Sequence, residues 1–161
     1  MANPYNEGFI QRLEELRQAD DRAALAVLRR ALSGRKEDVW RAFQPVGYQL
    51  PPQPKEQDIF ILIGALFAHH PLAGGSGNMG DHMAALRRAD PNKASSAERR
   101  FTVLVTAHPD DLPYHLRQVI SLLASSGIPV DWSQLLYDVQ YWDHPERFVQ
   151  RQWATQFWRA S

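Results

Sequence analysis

The stretch DLPYHLRQVISLLASSGIPVDWSQLL, residues 111–136, decides the fold class. Leu112, Leu116, Val119, Ile120 and Leu123 recur at three- and four-residue spacing, which places them on one face of a helix. Asp111 and Pro113 suit the start of that helix and Gly127 its stop. Asp131 then caps a second helix bearing Trp132, Leu135, Leu136 and Val139. Nowhere does the period-2 alternation of a strand bounded by hairpin turns appear.

The helical period extends outward from this segment. Upstream, a helix over Asn6 to Arg17 carries Phe9, Leu13 and Leu16, and Asp21 caps a second with Leu25, Leu28 and Leu32, ending at a left-handed Gly34. A short helix, Glu37 to Phe43, precedes Pro45. Prolines 51, 52 and 54 break the chain before an apolar helix from about Gln57 to His69, which stops at Pro71 and a glycine-rich run. A polar helix is predicted at Asp81 to Ala89. Ser95 and Glu98 have the form of a capping box opening a helix to about Ala107. Pro145 opens a last helix with Phe148, Val149, Trp153 and Phe157. The expectation is an all-α helical bundle of eight or nine helices, read as one domain over 1–161, with a subdomain boundary near 50–56 or 71–80.

Composition narrows the classes. A chain of 161 residues with 44% hydrophobic content buries roughly 68 to 70% of its unfolded surface, enough for a core without staples. With no cysteine there is no disulfide scaffold, thiolate zinc site or cysteine nucleophile, which suits a reducing compartment. The start MANPYNEGFIQRLEE lacks a secretory pattern, and the apolar run Ile59 to Ala68 makes roughly 15 Å of helix against about 30 Å of bilayer. A cytoplasmic protein without membrane attachment is expected.

The 18 basic and 18 acidic residues cancel, yet their distribution is uneven. Five basic and three acidic residues fall in 81–100, whereas 118–146 holds four acidic residues and no Lys or Arg. Fifteen of the 18 basic residues are Arg, whose planar fork suits bidentate phosphate contact. Arg30 lies opposite the stripe of Leu25, Leu28 and Leu32, with Arg22 and Arg29 on one flank. Arg99 lies opposite Phe101, Leu104 and Val105, with Arg100 to the side, and Arg87, Arg88 and Lys93 precede them. These faces are either solvated helix surfaces or an anion-binding surface.

Other motifs carry less. Gly75, Gly77 and Gly80 spell G-x-G-x-x-G, but a helix rather than a strand precedes them, so a flexible loop is the expectation. His69, His70 and His82 lack metal-ligand spacing, and neither metal nor cofactor is expected. Asp20/Asp21 and Asp110/Asp111 sit where helix caps belong. The cluster Trp142, Phe148, Trp153, Phe157 and Trp158 has the spacing of a core or an interface.

In order and spacing, FIQRLEELRQADDRAALAVLRRAL (9–32), LFAHHP (66–71), GNMGDHMAAL (77–86), ERRFTVLVTA (98–107), LRQVISLLASSGIPVDWSQLLYDVQYW (116–142) and QWATQF (152–157) together resemble the CasB family. This family is the small subunit of the type I-E CRISPR surveillance complex, Cascade. The resemblance implies an all-helical, non-enzymatic subunit that sits as a pair in the complex beside its backbone and large subunits. It also implies a basic surface that helps hold the displaced DNA strand and the assembly bearing the CRISPR RNA and target. Carried onto this sequence, the role falls to Arg29 and Arg30 in LRR, Arg99 and Arg100 in ERRF, and Arg117 in LR. Arg22, Arg87, Arg88 and Lys93 are secondary candidates. Thr155 departs from relatives that often carry Arg after Trp-Ala, which weakens a basic role for the last helix. Two competing readings are a helical protein-interaction adaptor and a small nucleotide- or metal-dependent enzyme.

Overall fold

Local capping and apolar periodicity place most of the elements in a computed structural model of the chain, which describes residues 3–159. Among the described residues there are nine α-helices and no strand, in agreement with an all-α fold. Two compact units meet in sequence at Pro71/Leu72.

The first unit contains α1 (Asn6–Gln18), α2 (Arg22–Arg30), α3 (Lys36–Val46) and α4 (Pro54–His69). The Asp21 carboxylate accepts the Ala24 N–H at 3.1 Å and so caps α2. A 3₁₀ turn over Ala31–Ser33 then leads to Gly34 at φ 74°, the left-handed stop expected there. Pro54 occupies the first turn of α4, where its missing N–H costs nothing. Phe60, Ile61, Ile63, Ala65, Leu66 and Phe67 make α4 apolar on most sides and bury it. Gly64 lets Phe9 and Leu28 close on α4: a Cβ there would stand 3.2 Å from the Phe9 ring. Phe9 and Phe60 meet edge-to-face at 5.0 Å.

Two boundaries in this unit differ from expectation. α4 opens at Pro54 rather than near Gln57. α3 runs through Pro45 instead of stopping before it. Proline removes a single donor in the last turn, and the Pro45 carbonyl is satisfied from α1 by Arg12 Nε at 2.9 Å.

The second unit contains α5 (Met79–Ala89), α6 (Ala94–Val105), α7 (Leu112–Ser125), α8 (Trp132–Gln140) and α9 (Phe148–Arg159). Here three predicted starts shift. α5 opens at Asn78, not Asp81: Asn78 Oδ1 accepts the Asp81 N–H at 3.2 Å while Asp81 Oδ2 accepts the Asn78 N–H at 2.8 Å. Nor is α5 polar, for Met79, His82, Met83, Ala84 and Leu86 are buried. Ser95 and Glu98 form no capping box, because a 3₁₀ turn over Pro91–Lys93 feeds directly into α6 at Ala94. Asp111 stands at the start of α7 without a side-chain cap bond. Pro145 lies in the turn before α9, which begins at Phe148.

Gly80 explains why α5 and α9 pack so tightly. A Cβ at this position would collide with the Trp153 carbonyl, so only glycine permits the approach. Trp153 and Trp142 meet at 5.0 Å, and Phe101 stacks on Phe157 at 4.2 Å, so most of the terminal aromatic cluster is core. Within it lies Asp138, 1% exposed, accepting from Trp153 Nε1 at 2.7 Å and Gln134 Nε2 at 2.8 Å. Burial pushes its carboxyl up to about 6 despite these bonds, and the charge of Asp131 adds to the rise.

Candidate nucleic-acid interface

Helix rotation sorts the predicted basic residues into those facing solvent and those engaged by the fold. On α2, Arg29 and Arg30 are exposed in the last turn, where a cation also complements the helix dipole. Arg22 is exposed at the other end of α2 but meets Asp20 at 3.4 Å, which offsets part of its charge. On α6, Arg99 is exposed directly opposite the buried Ala97, Phe101 and Leu104.

Arg100 is half-buried, and its guanidinium donates to Gln118 Oε1 on α7 at 2.8 Å. Residues 100 and 118 are equidistant from 109, so the bond sets α6 and α7 antiparallel about the Pro109 turn. Arg117 is exposed on α7, next in sequence to the Gln118 that Arg100 meets. Arg99, Arg100 and Arg117 lie on α6 and α7 of the second unit, and Arg22, Arg29 and Arg30 lie on α2 of the first.

Two candidates are engaged by their surroundings. Arg87 is a core residue with a side chain only 11% exposed. Its guanidinium lies 4.2 Å over the Phe157 ring, donates to the Phe157 carbonyl at 2.7 Å and approaches Glu98 at 3.7 Å. It therefore ties α5 to α9 and presents little charge to a phosphate. Lys93 is likewise engaged: Nζ donates to Ser125 Oγ and Ser126 Oγ, each at 2.7 Å, and lies 3.7 Å from Asp90. It closes the carboxyl end of α7, where the helix dipole favours a cation. Arg88, the neighbour of Arg87, points outward beside a cleft of about 360 Å³ lined also by Asp81, His82 and Ile128.

The glycine run has a packing explanation. Gly80 serves the helix contact, and Gly77, at φ 105°, turns the chain beside the Asp81 carboxylate. That carboxylate already fills the amino end of α5, where a phosphate would need to sit. His82 is buried and its Nε2 accepts the Asp131 N–H at 3.0 Å. Desolvation pushes its pKa down, against the pull of Asp131 and Asp81. Among the described residues, no three His, Cys, Asp or Glu side chains converge as a metal site would require. No helix among them is long and apolar enough to cross a membrane.

One surface residue was not singled out from the sequence. Tyr114 is 64% exposed on α7, one turn before both Arg117 and Gln118. Its signal was present, since a tyrosine off the Leu112, Leu116, Val119 stripe must face solvent or a partner.

Comparison with known proteins bears on the family and the fold. The sequence profile of the CRISPR-associated protein Cse2 family matches residues 24–158. The chain is 31% identical over 107 residues to the CRISPR-associated protein Cse2 of Thermus thermophilus, covering 66% of this chain and 60% of that relative. The aligned part thus spans about three fifths of the relative's length. The fold is similar to CasB from Thermus thermophilus, with a TM-score of 0.78 and 27% identity over 98% of this chain and 99% of that one. It is also similar to a chain of a pre-nicking CRISPR RNA-guided surveillance complex, with a TM-score of 0.84 and 23% identity over 97% of this chain and 93% of that one. With the profile matched across most of its length, the chain belongs to the CRISPR-associated protein Cse2 family.

Proposed function

We propose that this chain is a non-catalytic small subunit of a cytoplasmic CRISPR RNA-guided surveillance complex. In this reading it assembles with the backbone and large subunits, a second copy of itself and the CRISPR RNA, and steadies the displaced strand of target DNA through exposed arginines. The observation that carries it is the family match over 24–158, to which the solvent-facing arginines add a chemical means. Arg29, Arg30, Arg99, Arg100 and Arg117 are the proposed contacts, with Arg88 and Arg22 at their margins.

The physical logic is modest and sufficient. Opening a target duplex while a guide heteroduplex forms is a near-balanced exchange, so small contacts that prevent reannealing shift it. Phosphate contacts are independent of sequence and weaken with salt at a slope of about −0.7 per contacted phosphate on single strands. A chain with no net charge binds DNA weakly alone and gains from placement beside the guide, where effective concentration is high.

Permanganate footprinting of the displaced strand tests the proposal, using reconstituted complex with wild-type subunit or the Arg30→Glu/Arg99→Glu variant at equal incorporation. Raised thymine reactivity or a shorter-lived opened duplex in the variant is expected. Unchanged reactivity and lifetime would instead favour a protein-interaction adaptor whose arginines only solvate it.

A further inference from the structure

Resting on that reading, we infer that the α6–α7 surface binds single-stranded nucleic acid selectively because Tyr114 offers a stacking platform for an unpaired base. Tyr114 is 64% exposed on the outer side of α7, with its ring held edge-on to His115 at 5.3 Å. A large aromatic ring left in water on a helix face is a surface with an unused apolar side. Residues three and four positions apart share a helix face, so Arg117 and Gln118 flank the ring from the next turn. The Arg100–Gln118 bond fixes α6 alongside, and counting back from that register sets Val103, 42% exposed, across from His115, whose ring meets that of Tyr114.

The surface thus carries the exposed Arg117 one turn from the Tyr114 ring, with Arg99 exposed on α6. Asp110 and Asp111 close the strip at its loop end, so a polyanion running along it is favoured at the arginine end. Charge selects a polyanion, and the ring selects one whose bases are free. Duplex DNA has its bases stacked on one another and offers only phosphates, whereas a single strand can turn a base onto the ring.

The test uses the full-length chain at low salt with three end-labelled ligands of equal phosphate number: a thymidine 20-mer, an abasic 20-mer and a duplex. Fluorescence anisotropy reads each affinity. Wild-type protein is expected to prefer the thymidine strand about fivefold or more over the abasic strand. Tyr114→Ala should erase that preference with little change towards the abasic strand or duplex, and Tyr114→Phe should keep it.

If Tyr114→Ala leaves the preference intact, or wild type binds both strands equally, while Arg99→Glu/Arg117→Glu weakens binding, stacking is overturned and the arginine reading stands. If the arginine variant binds all three ligands like wild type, the arginine contacts fall as well; wild type binding none of them overturns the inference, while the proposed function is judged in the assembled complex. Loss of complex incorporation on Tyr114→Ala with unaltered strand preference would assign the ring to a protein contact and likewise overturn the inference.

Discussion

Replacing Asp138 by Asn should make the protein less stable by an amount that grows as the solution is acidified. The carboxyl titrates near 6 when folded, mainly because burial disfavours its charge, against a reference of 3.8. The folded protein therefore holds this proton more tightly than the unfolded chain does. The resulting stabilisation is fully present below pH 3.8 and is lost as pH rises through 6. At pH 5, one unit below the folded value, it amounts to about 1.4 kcal/mol relative to pH 7.5. Asparagine does not titrate, and it offers one carbonyl where Trp153 and Gln134 supply two donors. That mismatch costs about 1–3 kcal/mol at pH 7.5. The deficit of Asp138→Asn should then deepen by about 1.4 kcal/mol on going to pH 5. His82 acts in the opposite direction. Its depressed pKa lends stability above 6.5 that declines as pH falls, but it is present in both proteins and drops out of the difference. Urea unfolding of the two proteins between pH 7.5 and 5 measures this. A deficit that stays constant or shrinks towards pH 5 refutes the argument.

Arg87→Met should lower stability by about 2–3 kcal/mol in thermal or urea unfolding, through loss of the charged hydrogen bond and the ring contact at Phe157, while strand affinity barely changes. Gly80→Ala should cost about 1–3 kcal/mol, because the methyl meets the Trp153 carbonyl and forces α5 away from α9; unchanged unfolding would contradict the packing. Arg99→Ala should leave the melting temperature unaltered and, in the assembled complex, reduce the salt slope of strand binding by about 0.7. Lys93→Met, by contrast, should weaken the end of α7, seen as faster amide exchange at 123–126, without altering that slope.

Two local caps were legible in the sequence: Asp21 and Asp131 both accept the expected backbone N–H. Stripes long enough to repeat, as on α7, were legible for the same reason. What escaped was decided partly by local competitors, as where Asn78 caps α5 ahead of Asp81, and partly by neighbours distant along the chain. Ser95 and Glu98 have the right form for a capping box, but the preceding 3₁₀ turn takes over the start of the helix, and Glu98 faces Arg87 instead. Pro45 stays in the last turn of α3, and its carbonyl, which no later turn reaches, is met from α1 by Arg12. In the candidate site, periodicity told solvent-facing Arg30 and Arg99 from their stripes. It gave no warning that Arg87 reaches a carbonyl 70 residues away, or Lys93 a pair of serines more than 30 away.

The side-by-side arginines at 87–88 and 99–100 divide their labour by rotation alone. Adjacent helix residues diverge by about 100°, so one member turns inward to Phe157 or Gln118 while the other meets solvent. The formal charge of such a doublet therefore overstates the charge a polyanion can feel. Lysine should substitute freely at the outer positions 88 and 99, since a point charge serves a phosphate there. At 87 it would forfeit the flat stacking group that Phe157 lies against. Inserting one residue ahead of 87–88 would carry both arginines to solvent-facing positions, whereas the same insertion ahead of 99–100 would carry Arg99 to the position that meets Gln118 and drive Arg100 into that of the buried Phe101.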